Sequence, residues 1–238
     1  SLLSFASQYS GHITPAVRTK GMTYETGSAE YYEKLERQVT SERFSAMAEI
    51  LLYHAQKGDK APEFVVLPED DRVRAALKYA VDKKWPFVVH IEFGSLYGKK
   101  KRFMESLERL LDQHPKHPFV LTHMGQLKPA ECRRLIETHR NLHFHTGWTN
   151  PAAVRISNQP WTNLFKEKRL APKWHELFIQ YPQRFVFALD NVFAEHWTGL
   201  YVKQMAYWKE ALTELPAEVA HLIAHGNAER LWNMTPRN

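Results

Sequence analysis

Several residue types and motifs are scarce in this chain of 238 residues, and each scarcity excludes a class of protein. Cys132 is the only cysteine, so neither an internal disulfide nor a cluster of thiolate metal ligands can form. No apolar run approaches the ~20 residues that a membrane-spanning helix needs. The sequence also has no glycine-rich turn after its first apolar run, no G-x-S-x-G motif and no Walker loop. These absences argue against a dinucleotide-binding fold, a nucleophile elbow and a P-loop.

The charge of the chain is basic, with a formal net charge of +6 and a pI near 9.3. The one dense basic run is Lys99 to Arg102, and short charge runs of this kind are usually exposed. No alternation of aromatic and basic residues resembles an RNA-binding strand pair. We therefore predict a small-molecule substrate, with no nucleic-acid and no membrane partner. An alternative is that the basic run attracts an anionic substrate.

The N terminus and the single cysteine bear on location. The opening residues "SLLSFASQYSGH" lack the basic start and long apolar stretch of a signal peptide. A lone cysteine fits a reducing compartment, which favours the cytoplasm. The chain has no initiator methionine. We therefore expect a trimmed or processed N terminus, with which a removed signal peptide is also compatible.

Short apolar runs rich in Val, Ile and Phe predict strands that are covered on both faces. Six such runs occur, at residues 1–7, 44–54, 86–93, 118–124, 141–148 and 184–191. Segment 61–70 is predicted to be a loop that hides a further short strand.

Helical patterns separate these runs. Apolar residues at spacings of three and four predict helices over 69–84, 102–114, 129–139 and 173–182. Alternating strands and helices predict an α/β fold with parallel strands. We interpret it as a single (β/α)₈ TIM-barrel-like domain over residues 1–238. Such a barrel usually takes ~250 residues, and six strands are two short, so the first two strands are expected to be absent from this chain.

Ionisable residues stand at the ends of several predicted strands. His90, His123 and Asp190 terminate three of the apolar runs in the same phase. The carboxyl ends of parallel strands form one rim of a barrel, where catalytic groups lie. Each of these groups is costly to bury unpaired, so their convergence predicts a shared metal ion. His145 is a weaker candidate at the same rim, and the deeper His143 is predicted to be structural.

The ordered motifs resemble a known family. The segments "PFVVH", "FVLTHMGQ", "NLHFHTGW", "RFVFALDN" and "HLIAHGNAERLW" are similar, in order and spacing, to the amidohydrolase superfamily. The amidohydrolase-2 branch is the nearest, and it includes aminocarboxymuconate semialdehyde decarboxylase with hydrolase and hydratase relatives. The resemblance begins near residue 41 and implies a distorted (β/α)₈ barrel with one divalent metal.

The resemblance also implies residue roles. His90 matches the metal ligand of the fifth strand, and Asp190 matches the aspartate that holds the metal or takes a proton from its water. His123 matches a histidine that often serves this branch as general acid/base. Glu49 occupies the usual acidic place of the fourth strand. The implied metal is zinc, with manganese or iron as alternatives.

The chain departs from the family at two places. The family's first strand carries an H-x-H pair of metal ligands, whereas the H-x-H of this chain is His143 to His145. We expect an N-terminal segment that precedes Ser1 to carry the missing pair. The family often has aspartate where His145 stands.

We therefore predict a metal-dependent hydrolase of an amide, lactone or ester of a small organic acid. A decarboxylase or hydratase of the same branch is the alternative, and a non-catalytic barrel that serves binding or assembly is a second. The predicted catalytic residues are His123 and Asp190, and the predicted metal ligands are His90 and Asp190. Substrate contacts are predicted at Glu49, Glu92, His145 and Trp148. Aromatic residues between 192 and 210 are expected to pack on the barrel, with a homodimer contact as the alternative.

Overall fold

The computed structural model describes residues 2–9, 12–58 and 62–234. The strands are β1 (Ala16–Val17), β2 (Ala46–Met47), β3 (Ile50–His54), β4 (Phe64–Val65), β5 (Phe87–Ile91), β6 (Phe119–Leu121), β7 (Leu142–His145), β8 (Phe165–Lys166), β9 (Arg169–Leu170) and β10 (Phe185–Val186). The helices are α1 (Leu2–Gln8), α2 (Met22–Thr26), α3 (Ala29–Thr40), α4 (Asp71–Lys83), α5 (Lys100–Gln113), α6 (Pro129–Thr138), α7 (Pro151–Val154), α8 (Pro172–Gln180), α9 (Gly199–Thr213), α10 (Ala217–His221) and α11 (Asn227–Leu231). None of the described helices is long and apolar enough to cross a membrane.

One six-stranded sheet organises the molecule. Its strand order is β10-β7-β6-β5-β3-β4, and every pair is parallel except β3 with β4. Two smaller sheets pair β1 with β2 in parallel and β8 with β9 as an antiparallel hairpin. Helices α4, α5 and α6 connect successive parallel strands of the large sheet, which is the β/α alternation that the sequence predicts.

The two faces of the large sheet bury different sets of side chains, because side chains alternate along a strand. Residues such as Phe87, Val89 and Phe119 point outward into the main core with the helices. On the inner face, Val88 and Val120 pack with Val186 against Leu231 of α11. This division into an outer helical layer and an inner layer is that of a (β/α) barrel wall.

The register of the strands fixes a second inner layer above the valines. Val88 lies opposite Val120, which lies opposite His143. Two residues further along their strands, His90 and His145 stand on the same inner face, about 6.6 Å nearer the carboxyl ends. The inner face therefore changes from apolar to imidazole toward the rim at which the sequence places the site.

Six of the sequence predictions concern elements outside the parallel strands of this sheet. The strand predicted over 1–7 is wrong: the described part of this segment is helical, and its Leu, Phe and Ala side chains recur at helical spacing without a β-branched residue. The strand that begins the fold is instead the short β1. The predicted strand within 61–70 is confirmed as β4, and the four predicted helices are confirmed as α4, α5, α6 and α8.

The aromatic segment after residue 192 divides into a buried and an exposed part. Trp208 is buried and packs with Phe165 and Phe187, which confirms the predicted contact with the barrel. Trp197 stacks on Tyr201 at the surface, with centroids 6.0 Å apart. The dimer contact predicted for this surface stays a prediction.

Candidate metal and acid–base site

The candidate site lies where four parallel strands end. Glu49 follows β2 by two residues, His90 is on β5, His123 follows β6, and His145 ends β7. In the sheet, Leu51 of β3 is the partner of His90. Glu49 lies two residues before Leu51, so its side chain is on the same face as that of His90. Parallel pairing thus brings residues more than 90 positions apart in sequence to one rim.

Three of these side chains are close enough to share a cation. Within the described residues, Glu49, His90 and His123 offer ligand atoms that all lie within 4.8 Å of one another. The rings of His90 and His123 are 4.9 Å apart at their centroids. Both imidazoles are buried. Asp190 adjoins this group, with Oδ2 lying 3.8 Å from Nε2 of His123.

His90 stands between two carboxylates. Its Nδ1 lies 3.2 Å from Oε2 of Glu49, and its Nε2 lies 3.1 Å from Oε1 of Glu92. Burial lowers the pKa of His90, but the two carboxylates outweigh burial and raise it to about 9. In return, His90 and Lys20 hold the pKa of Glu49 well below its usual range in spite of burial. The side chain of Lys20 donates to Oε1 of Glu49 over 2.6 Å.

Glu92 is held on all sides by the protein. Its Oε2 accepts the backbone N–H of Ala55 at 2.8 Å, and its Oε1 accepts Lys57 at 2.6 Å as well as His90. The side chain is fully buried. Burial raises the pKa of Glu92, but His90 and Lys57 outweigh it, so Glu92 stays ionised. A substrate contact was predicted for Glu92, yet its oxygens face protein donors.

His123 lies at the start of a left-handed turn. His123, Met124, Gly125 and Gln126 all have φ between 54° and 61°. Each such non-glycine residue costs about 1–2 kcal/mol, and strain of this kind is concentrated at functional sites. A Cβ on Gly125 would lie 2.6 Å from Cδ2 of Leu121, so glycine is required there by space as well as by φ. The turn ends the strand abruptly and leaves the imidazole on the inner face.

The orientation of the His123 ring is fixed by Gly147. Nδ1–H of His123 donates to the carbonyl oxygen of Gly147 over 3.0 Å. Nε2 is therefore the nitrogen that carries the lone pair, and it faces Asp190. Burial, followed by the charges of His90 and His145, holds the pKa of His123 well below its usual value.

Trp148 and Trp161 form an aromatic wall beside His123, whose ring also contacts that of His145. Trp161 contacts His123 edge-on at 5.1 Å and stacks on Trp148 at 6.0 Å. The ring of His145 lies 5.7 Å from that of His123, and its Nδ1 accepts the backbone N–H of Gly147. This wall will be called the tryptophan wall, meaning Trp148 and Trp161.

The predicted site residues are thus largely brought together. His90, His123 and Asp190 do not lie in separate pockets, and Glu49, Glu92 and His145 surround them. The structurally important residues that sequence reasoning missed are Lys20, Lys57, Gly147 and Trp161. Lys57 and Trp161 lie in loops and not at the end of a predicted strand, so no local signal in the sequence marks them.

Sequence comparison assigns the family. Residues 24–234 match the Amidohydro_2 family, described as amidohydrolase. The fold and this rim of histidines and carboxylates define a TIM-barrel-like α/β protein with a candidate metal site. The chain belongs to the amidohydrolase family. No curated protein matches the sequence.

Solved structures agree on the fold. The uncharacterized TIM-barrel protein Bb4693 from Bordetella bronchiseptica is similar with a TM-score of 0.60 at 18% identity, over 98% of this chain and 71% of its own. The 2,6-dihydroxybenzoate decarboxylase from Rhizobium has a TM-score of 0.60 at 15% identity, over 98% and 74%. The 5-carboxyvanillate decarboxylase from Sphingomonas paucimobilis has a TM-score of 0.56 at 16% identity, over 98% and 70%. The predicted TIM-barrel-like fold is confirmed.

Proposed function

We propose that this chain carries the active site of a metal-dependent hydrolase that acts on an amide, lactone or ester of a small organic acid. One observation carries the proposal: ligand atoms of Glu49, His90 and His123 lie within 4.8 Å of one another at the carboxyl ends of the strands. This rim is where barrel enzymes place their chemistry. Membership of the amidohydrolase family supports the same class of reaction.

The donor set fits a divalent transition metal. Imidazole and carboxylate suit zinc, manganese or iron, and zinc is the ion we favour. In this proposal His90, Glu49 and Asp190 would hold the ion, whereas His123, which lies within the same 4.8 Å group, keeps the acid/base role that the family resemblance implies. The second ring nitrogen of His90 would donate to Glu92, the outer carboxylate that commonly orients a metal-binding histidine. Glu92 is thereby a positioning residue rather than the substrate contact that the sequence predicts.

Proton transfer falls to His123 and Asp190. A bound divalent ion supplies Lewis acidity and lowers the pKa of water toward ~7. Asp190 accepts the proton of the attacking water. His123 would take that proton from Asp190 at Nε2, which lies 3.8 Å from Oδ2, and would pass it to the leaving group, because its Nδ1–H is committed to Gly147. The edge contact of His123 with Trp161 at 5.1 Å supports a substrate position against this indole ring.

The substrate would lie against the tryptophan wall. Trp148 and Trp161 are stacked, which suits a flat substrate. The ammonium group of Lys57 lies 4.7 Å from the ring centroid of Trp161 and could attract a carboxylate at its edge. His145 and Trp148, at and just after the carboxyl end of β7, remain the other proposed substrate contacts.

A decarboxylase is the second candidate, and the same wall favours it. Two of the similar structures are decarboxylases of 2,6-dihydroxybenzoate and 5-carboxyvanillate, and a further one is a 2,6-dihydroxybenzoate decarboxylase in complex with 2,6-dihydroxybenzoate. In that reaction Nε2 of His123 would first take a proton from Asp190 or from water, and would then pass it to the ring carbon as the bond from that carbon to the departing carbon dioxide breaks. The residues are the same, and only the bond that breaks differs.

Metal-loaded full-length protein tests both reactions against the non-catalytic alternative. Release of acid from lactones and esters supports the hydrolase, and loss of the carboxylate from hydroxybenzoates supports the decarboxylase. His123→Ala is expected to lower kcat by about 10²–10⁴-fold, the usual contribution of a general acid/base, with metal content unchanged. His175→Ala, on α8, is the matched control. Loss of metal in His123→Ala would make His123 a ligand instead, and full-length protein that binds no metal after repletion would be a scaffold.

A further inference from the structure

A second concave site lies at the amino ends of the strands, opposite the candidate metal site. It is an open cleft of about 480 Å³ between the loops that precede β5, β6, β7 and β10. Five of its lining side chains are cations, and no carboxylate lines it within the described residues. The cations are Lys84, Lys116, Arg140, Arg184 and Arg230. The concentration of one charge in a single cleft is what requires explanation.

The three arginines are close enough to affect one another. Arg184 is half-buried, and its pKa is lowered first by burial and then by the charges of Arg230 and Arg140. Arg184 donates to the carbonyl oxygens of Arg140 and Leu142, and Arg230 donates to the carbonyl oxygen of Gln183 at 3.2 Å. These acceptors are neutral. The guanidinium groups of Arg184 and Arg230 are thus held in place by neutral oxygens, and no carboxylate lines the cleft within the described residues.

His143 forms part of the lining of the same cleft. Its Nδ1–H donates to the carbonyl oxygen of Phe119 at 3.3 Å, which leaves Nε2 as the variable position of the ring. Burial lowers the pKa of His143, and Arg184 and Arg230 lower it further. A neutral imidazole among cations keeps the site from adding a further positive charge. The sequence predicts a structural role for His143, and the side chain is buried.

We propose that this cleft, which will be called the arginine cleft, binds a small molecule with phosphoryl or carboxylate groups that carry two or more negative charges. Guanidinium groups match the planar, paired oxygens of such anions. The volume is that of a small-molecule site and not of a nucleic-acid groove. The proposal is independent of the chemistry at the opposite rim, because the two sites share no side chain.

Direct titration of the full-length protein tests the arginine cleft. Inorganic phosphate and citrate, each at constant ionic strength, are the probes, and calorimetry reports binding. We expect one saturable site for at least one probe, and the preferred probe distinguishes phosphoryl from carboxylate ligands. Arg230→Gln should weaken binding at least about fivefold, since it removes a charge-assisted contact.

Two further variants make the test specific. Lys116→Gln changes an exposed side chain of the same cleft and should weaken binding by at least about twofold even if Arg230→Gln folds poorly. Arg102→Gln removes one exposed charge from α5 and should leave binding unchanged. Equal losses in Arg102→Gln and Lys116→Gln, or no saturable binding of either probe to the wild type, would overturn the proposal.

Discussion

The carbonyl oxygen of Gly147 accepts a hydrogen bond from Nδ1 of His123 over 3.0 Å, and this contact sets the tautomer of the proposed acid/base. The same glycine donates its backbone N–H to Nδ1 of His145. Gly147 thus orients two imidazoles from two neighbouring strand ends. A Cβ at this position would lie 2.5 Å from Cε1 of His145 and 3.3 Å from Nδ1 of His123.

Gly147→Ala should therefore displace both imidazoles. We expect kcat to fall about 10²-fold, because a misplacement of about 1 Å has this effect on a catalytic group. The midpoint of thermal unfolding should change little, since the new methyl group meets movable side chains rather than backbone. Unchanged kcat in Gly147→Ala would show that the orientation of His123 is not needed.

Glu92→Gln tests the proposed support of His90. The substitution removes the charge that His90 and Lys57 share, while it keeps the shape of the side chain. Outer carboxylates of this kind commonly contribute 10–100-fold to metal affinity, so we expect a loss of about that size. Competition with a chelating dye measures it.

Glu108→Gln is the matched control for that substitution. Glu108 also contacts a buried imidazole, with Oε2 lying 3.4 Å from Nε2 of His139, but on the outer helical layer. Its metal affinity should equal that of the wild type. If both variants lose affinity equally, the effect of Glu92→Gln is general destabilisation and the positioning role is rejected.

Gly125→Ala tests the left-handed turn after β6. Both the φ of +61° and the approach to Leu121 oppose a side chain there. Gly98 has a similar φ of +72° but open space around its Cβ position, so Gly98→Ala measures the cost of φ alone. We expect Gly125→Ala to lose about 1–3 kcal/mol more free energy of unfolding than Gly98→Ala, as overpacking does. Urea unfolding of the two variants decides, and equal losses would remove Leu121 from the explanation.

The stability of the protein should depend on His143 in mildly acidic solution. The folded pKa of His143 is lowered from 6.5 to about 4. Between about pH 6.5 and pH 4, the unfolded chain therefore binds a proton at His143 and the folded chain does not. The contribution of His143 to the free energy of unfolding is fully present above pH 6.5, declines as the pH falls, and is lost by about pH 4. The whole contribution is about 3 kcal/mol. His143→Gln should flatten this part of the curve in urea unfolding at pH 7 and pH 5, and an unchanged slope would assign it to other groups.

How far the sequence predicts this molecule depends on how local each signal is. Helix α4 and strands β5 and β6 follow from periodicity within a dozen residues, and they are confirmed. Strand β10 is only two residues long, and beyond it the hydroxyl of Thr146, rather than a backbone group, bonds the backbone of Ala188. That contact spans 42 positions and leaves no pattern in the sequence.

The candidate site divides along the same line. His90 and His123 stand where apolar runs end, so parallel pairing alone predicts that they meet. Lys57 and Trp161 reach the site from loops, and their contacts with Glu92 and His123 depend on the tertiary path of those loops. Asp190 lies beside His123 as the sequence predicts, while its role as metal ligand stays a prediction.

The metal content of the full-length protein, wild type beside His90→Ala, tests the central claim most directly. Both proteins are stripped, supplied with zinc, manganese or iron, dialysed and measured by elemental analysis. Because His90 is the one imidazole ligand of the proposed set, we expect about one ion per wild-type chain and almost none in His90→Ala. Equal metal in the two proteins, or none in either, would contradict the claim that these strand ends hold a cation.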